Sequence, residues 1–153
     1  MTQENSLLEF LKAQKNEDVA QGQKAQATRE EWLTALKELY VQLRAWLENA
    51  RVAGLAEIVE RQVMLSEQHL GSYKAPALDL KMGSRVIHVV PRGRLIIGAR
   101  GRVDLECGPA KAMLVRNDDG TWKFAVPRGT PGKWAKADLS DETFSQAIRG
   151  LLK

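Results

Sequence analysis

The sequence predicts an α+β fold: N-terminal helices, then an antiparallel β meander or small open barrel of six to seven strands, then a C-terminal helix. Three observations lead there. Apolar residues between Thr28 and Arg51 recur every three or four positions. Beyond Ala56 the period falls to two, over segments whose breaks are too short to hold a crossover helix. Behind Ser140 the helical period returns.

Each element has a local cause. Leu7, Leu8, Phe10 and Leu11 form a short apolar stripe, and the polar run from Ala20 to Ala27 behind it reads as a linker. Residues 1–27 are therefore read as a short amphipathic helix plus linker, and residues 28–153 as a single α+β domain. Thr28 with Glu31 three positions on has the form of a capping box for a helix over 28–53. Trp32, Leu36, Leu39, Leu43 and Trp46 line that helix, and Gly54 suits the left-handed residue that ends one. Strands are predicted at 57–65, 77–82, 85–90, 94–97, 102–107, 111–116 and 121–126. Residues 127–139, rich in Gly and Pro, read as irregular. Phe144, Ala147, Ile148, Leu151 and Leu152 share one face of a last helix over 140–152, capped by Ser140.

Composition limits the function classes. The chain has 153 residues, 44% hydrophobic and 27% charged, enough for one domain with a core that needs no staple. A lone cysteine, Cys107, excludes an intramolecular disulfide framework, and two histidines leave little for a metal centre, so no cofactor is expected. No stretch approaches the ~20 apolar residues of a membrane span. Met1–Asn5 lacks a basic start, and with the single thiol this predicts a cytoplasmic protein that does not engage a membrane.

Charge is unevenly spread. Residues 1–70 carry 8 Lys and Arg against 11 Asp and Glu, whereas residues 71–137 carry 13 against 5. A basic middle points to an anionic partner, or to neutralisation between the two parts of one fold.

Turn length fixes register. A two-residue turn at Gly83-Ser84 pairs Met82 with Arg85, Leu80 with Ile87 and Leu78 with Val89, leaving Asp79 opposite His88 on the other face. Gly108-Pro109 likewise pairs Glu106 with Lys111 and Val103 with Leu114. Arg102, Asp104 and Glu106 then share one face, and Cys107 falls on the other as a small core residue.

These registers supply the candidate sites. Asp79 and His88 form an acid–base pair on paper, and Asp104 with Glu106 puts two carboxylates on one strand face, a start for a Mg²⁺-dependent hydrolase or nuclease. The plainer reading is ordinary cross-strand charge pairing. Arg92-Gly93-Arg94 and Arg100-Gly101-Arg102 flank an apolar run, with glycines that let backbone approach a ligand and arginines whose forks suit phosphate. If the run is one strand, the two lie up to ~25 Å apart, a spacing for an extended polyanion such as nucleic acid. Solvated turn arginines are the plainer reading. Trp134 in the irregular stretch is a candidate docking or stacking ring, or a plug over a sheet edge. Leu7, Leu8, Phe10 and Leu11 are too few to fold alone and call for a partner, another protein or a second copy.

The sequence is read as a non-catalytic binding or accessory protein acting through protein contacts, with a basic sheet face for an anionic partner. Nucleic-acid binding through Arg92, Arg94, Arg100 and Arg102 is the alternative, and a metal-dependent hydrolase or nuclease the second.

Overall fold

The computed structural model describes residues 3–94, 99–125 and 137–153. Helix α1 (Gln3–Val52) is followed by strands β1 (Glu57–Glu67), β2 (Gly71–Met82), β3 (Arg85–Gly93), β4 (Arg102–Cys107), β5 (Ala110–Arg116) and β6 (Trp122–Ala125), then helix α2 (Asp141–Leu152). The strands form one open antiparallel sheet in sequence order, the meander the turn signals predict. Of the predicted 94–97 strand, residues 95–97 lie outside the described residues.

The two expected N-terminal helices are one. α1 runs 50 residues without a break, about 75 Å at 1.5 Å per residue. The run from Ala20 to Ala27, read as a linker, is helical because Ala, Gln and Lys are good helix formers and only Gly22 opposes them, by about 1 kcal/mol. Thr28 accordingly caps nothing: it lies mid-helix and its hydroxyl donates to the carbonyl of Lys24 at 3.0 Å. The C-terminal stop is as expected. Gly54, at φ 76°, donates to Arg51 while Leu55 donates to Ala50, closing a Schellman motif.

Both expected hairpin registers are present. Leu78 pairs with Val89, Asp79 with His88, Glu106 with Lys111 and Val103 with Leu114. The β1–β2 hairpin is longer than its apolar pattern suggests, because β2 begins at Gly71 rather than 77. Its apolar residues change phase, from Tyr73 and Ala75 to Leu78 and Leu80, yet all four are buried in one core. Odd and even positions face opposite ways on a flat strand, so the hairpin coils between them. Pro76 sits at that point, beyond the β3 pairing that starts at Leu78, and its carbonyl accepts a 2.7 Å hydrogen bond from the buried Tyr40 hydroxyl.

The core lies between the inner sheet face and the helices. Trp32, Leu36, Tyr40 and Leu43 of α1 meet Leu78, Leu80, Val89, Leu105 and Leu114 of the sheet, and Phe144, Ala147 and Leu151 of α2 complete it. Cys107 is buried there as expected. Ser140 and Thr143 form a reciprocal capping box on α2. Residues 137–139 bond along the outer edge of β6 through Phe124 N to Ala137 O and Leu139 N to Trp122 O, which covers that edge. Among the described residues no helix is long and apolar enough to cross a membrane.

Candidate functional site

The outer face of the sheet gathers most of the polar candidates. Asp79, His88, Glu106 and Lys111 form one row across β2–β5, each opposite the next. His88 Nδ1 lies 2.8 Å from Asp79 Oδ1, and Arg61 Nε donates to the same oxygen at 3.1 Å. Burial pushes the Asp79 carboxyl up, but the hydrogen bonds from His88 and Arg61 outweigh it and hold the group below the usual carboxylate range. An imidazole in such a pair can exchange a proton, yet its carboxylate is already shared with a guanidinium.

Asp104 is the centre of a second network and is fully buried, although it belongs to the outer face. Arg102, two residues back on the same strand, grips it with Nε at 2.8 Å and Nη2 at 3.0 Å. Arg92 Nε donates to it at 2.9 Å, and Lys111 Nζ lies 3.6 Å away. Arg92 also bonds Glu106, which Lys111 approaches at 3.4 Å. Three cations thus cover two carboxylates. Arg92, two residues past the Val90 that pairs with Asp104, lies on the same face within diagonal reach of that carboxylate, at the point where the β3–β4 register shifts between Pro91 and Gly93. Among the described residues no group of three or more His, Cys, Asp or Glu side chains is placed to hold a metal ion.

The Arg-Gly-Arg tripeptides therefore divide. Arg92 and Arg102 converge on one carboxylate instead of standing apart. Arg94 and Arg100 lie near Glu31 of α1, whose carboxyl is held below its usual range chiefly by the hydrogen bond from Arg116, with Arg94 and Arg100 adding to the field. Arg100 also reaches Asp118 at 3.3 Å. Both glycines serve close approaches inside the fold. A Cβ on Gly101, at φ 148°, would stand 2.2 Å from the Trp32 ring. One on Gly93 would stand 2.8 Å from Glu67 Oε1, the atom that accepts from Arg94 N. Trp134 lies outside the described residues.

The helical candidates are placed differently. Leu7, Leu8, Phe10 and Leu11 are 57%, 52%, 63% and 50% exposed on a segment of α1 that extends past the sheet. Every residue from Ser6 to Lys24 is exposed, and burial begins at Ala25. At 100° per residue Leu7, Phe10 and Leu11 fall on the same side of the helix as Trp32, Leu36 and Leu43, so the core-facing stripe reappears where there is no sheet to cover it.

Sequence reasoning missed the surface beside the docked part of α1. A groove of about 620 Å³ is floored by Leu39, Trp46, Trp122 and Leu139 and rimmed by Glu38, Asp119 and Asp138. Trp46 carried the signal, as a large ring in the apolar stripe of its helix, but read as core; here Trp46 and Trp122 are each only partly buried, against Phe144 and Trp32 respectively. Compared with known protein families, curated proteins and solved structures, the chain gives no match.

Proposed function

We propose that this chain is a non-catalytic accessory protein of the cytoplasm that works by docking, with the projecting part of α1 as its docking element. The observation that carries the reading is the exposed stripe of Leu7, Leu8, Phe10 and Leu11, held in helical form beyond the domain. An amphipathic helix of this kind lays its apolar side into a groove. The buried thiol of Cys107, which forms no disulfide, suits a reducing compartment.

The sheet face supports catalysis and polyanion binding less well. Its carboxylates are matched by Arg61, Arg92, Arg102 and Lys111, so an anionic partner would meet the exposed Lys81 and Lys123 rather than the arginines. The test is capture of binding partners by the full chain and by a variant carrying Leu7→Gln, Leu8→Gln, Phe10→Gln and Leu11→Gln. Binding lost in the variant, at unchanged circular dichroism and denaturation midpoint, is the expected result. Equal binding by both chains, or DNA or RNA binding that weakens steeply from about 50 to 200 mM salt, would overturn it.

A further inference from the structure

We infer that the occupant of the exposed α1 stripe is the trough beside α1 on a second copy of this chain, in a reciprocal antiparallel dimer. The inference rests on the docking reading and names its partner. Three observations carry it.

The first is reach. α1 is a continuous rod, so Phe10 stands 29 residues, or about 44 Å, from Leu39 along one axis. The stripe cannot fold onto its own domain without breaking the helix.

The second is fit. A more polar groove of about 430 Å³, lined by Ala27, Glu30, Glu31, Thr34, Glu38 and Arg116, meets the 620 Å³ groove at Glu38, and together they follow α1 from Ala27 to Trp46. Those 19 steps span about 28 Å, as do the 19 steps from Leu7 to Gln26. A two-fold axis near Gln26 lays both distal segments in both troughs at once, the self-complementary arrangement a symmetric dimer requires. Phe10 then lies opposite Gln42, with Leu7 and Leu11 on either side against the Leu39–Trp46 floor.

The third is chemistry. At Leu39, Trp46, Trp122 and Leu139 the floor is apolar and aromatic, and Leu7, Phe10 and Leu11 offer it three large apolar side chains on one side of a helix. Two such contacts, each ~28 Å by ~10 Å on both surfaces, would bury about 1,100 Å², the size of a weak, transient interface. The dimer should accordingly be in concentration-dependent equilibrium with monomer.

Sedimentation velocity of the full chain from about 1 to 200 μM reads this directly. A shift from monomer to dimer is expected, with the dissociation constant raised at least ~100-fold by Leu7→Gln, Phe10→Gln and Leu11→Gln together. Register is tested in a Cys107→Ala background by mixing a Gln14→Cys chain with a Glu38→Cys chain. A disulfide between them is expected, and none with Lys37→Cys in place of Glu38→Cys. A monomer at every concentration overturns the dimer while leaving helix-dependent capture of another protein to support docking. A dimer indifferent to the three substitutions, or cross-linking equally well at position 37, overturns the assigned contact.

Discussion

The two ends of α1 share one backbone but are held by different forces. From Trp32 to Leu47 the helix buries Trp32, Leu36, Leu39, Tyr40, Leu43 and Leu47 against the sheet. From Ser6 to Lys24 it buries nothing. An isolated helix of the distal length would be marginal, since the first turn is costly to nucleate. Here the docked part supplies the nucleus, and the distal part needs only to propagate through Gln, Lys and Ala. A helix can thus be continuous in structure while only part of it belongs to the cooperative core. The other part holds an apolar stripe in readiness for a surface outside the domain.

The two parts of α1 should differ most in what a single truncation costs. Trp32→Ala should cost about 3–5 kcal/mol in urea unfolding, whereas Phe10→Ala in the distal part should change the midpoint by less than ~0.5 kcal/mol in dilute protein. Equal costs would show that both parts are core. Next, Asp104→Asn should cost about 2–3 kcal/mol, because Arg92, Arg102 and Lys111 would then face one another across a neutral group. That loss would weaken the sheet on which the docked part rests and leave distal helicity to follow global unfolding. An unchanged midpoint would mean that the network is solvated and structurally idle.

A smaller effect lies at the joint between the two parts of the helix. A methyl group added at Gly22 would meet nothing within 4 Å, so Gly22→Ala should strengthen the helix locally by about 1 kcal/mol. Slower amide exchange over residues 6–24, with the urea midpoint of the domain unmoved, is the expected signature. The smallest effect concerns pH. The Asp79 carboxyl is held low in the folded chain, so its contribution is present above the unfolded value near 3.9 and is lost as pH falls through the lower folded value. Arg61 and His88 are 40% and 46% exposed, which limits that contribution to less than about 1 kcal/mol. Acid titration of stability should therefore be slightly shallower in Asp79→Asn than in the parent, and a steeper acid loss in the variant would contradict the assignment.

Much of this was legible in the residues because tight turns leave little freedom. Gly83 and Gly108 fix two-residue turns, and those turns fix the Asp79–His88 and Glu106–Lys111 pairs without knowledge of the rest of the fold. Gly54 marked the helix end for the same local reason. The Ala20–Ala27 run misled because a polar sequence lacks the period that betrays a helix, even when its residues propagate one well. The convergence of Arg92 and Arg102 on Asp104 depends on the β3–β4 register, which a connection longer than a tight turn does not fix. Gly93 and Gly101 suggested approach to a ligand, and only the packed structure shows that they approach Glu67 and Trp32. The groove at Trp46 and Trp122 needs α1, β6 and the 138–139 segment brought together, a long-range arrangement outside the reach of local rules.

Whether the distal stripe docks on a second copy is read by amide hydrogen exchange of the full chain at low and high concentration, about 1 and 200 μM, comparing residues 6–24 with residues 32–47. Residues 32–47 should exchange slowly and equally at both concentrations, while residues 6–24 should exchange quickly when dilute and gain protection when concentrated. Concentration-independent exchange in residues 6–24, whether fast or slow, would contradict it.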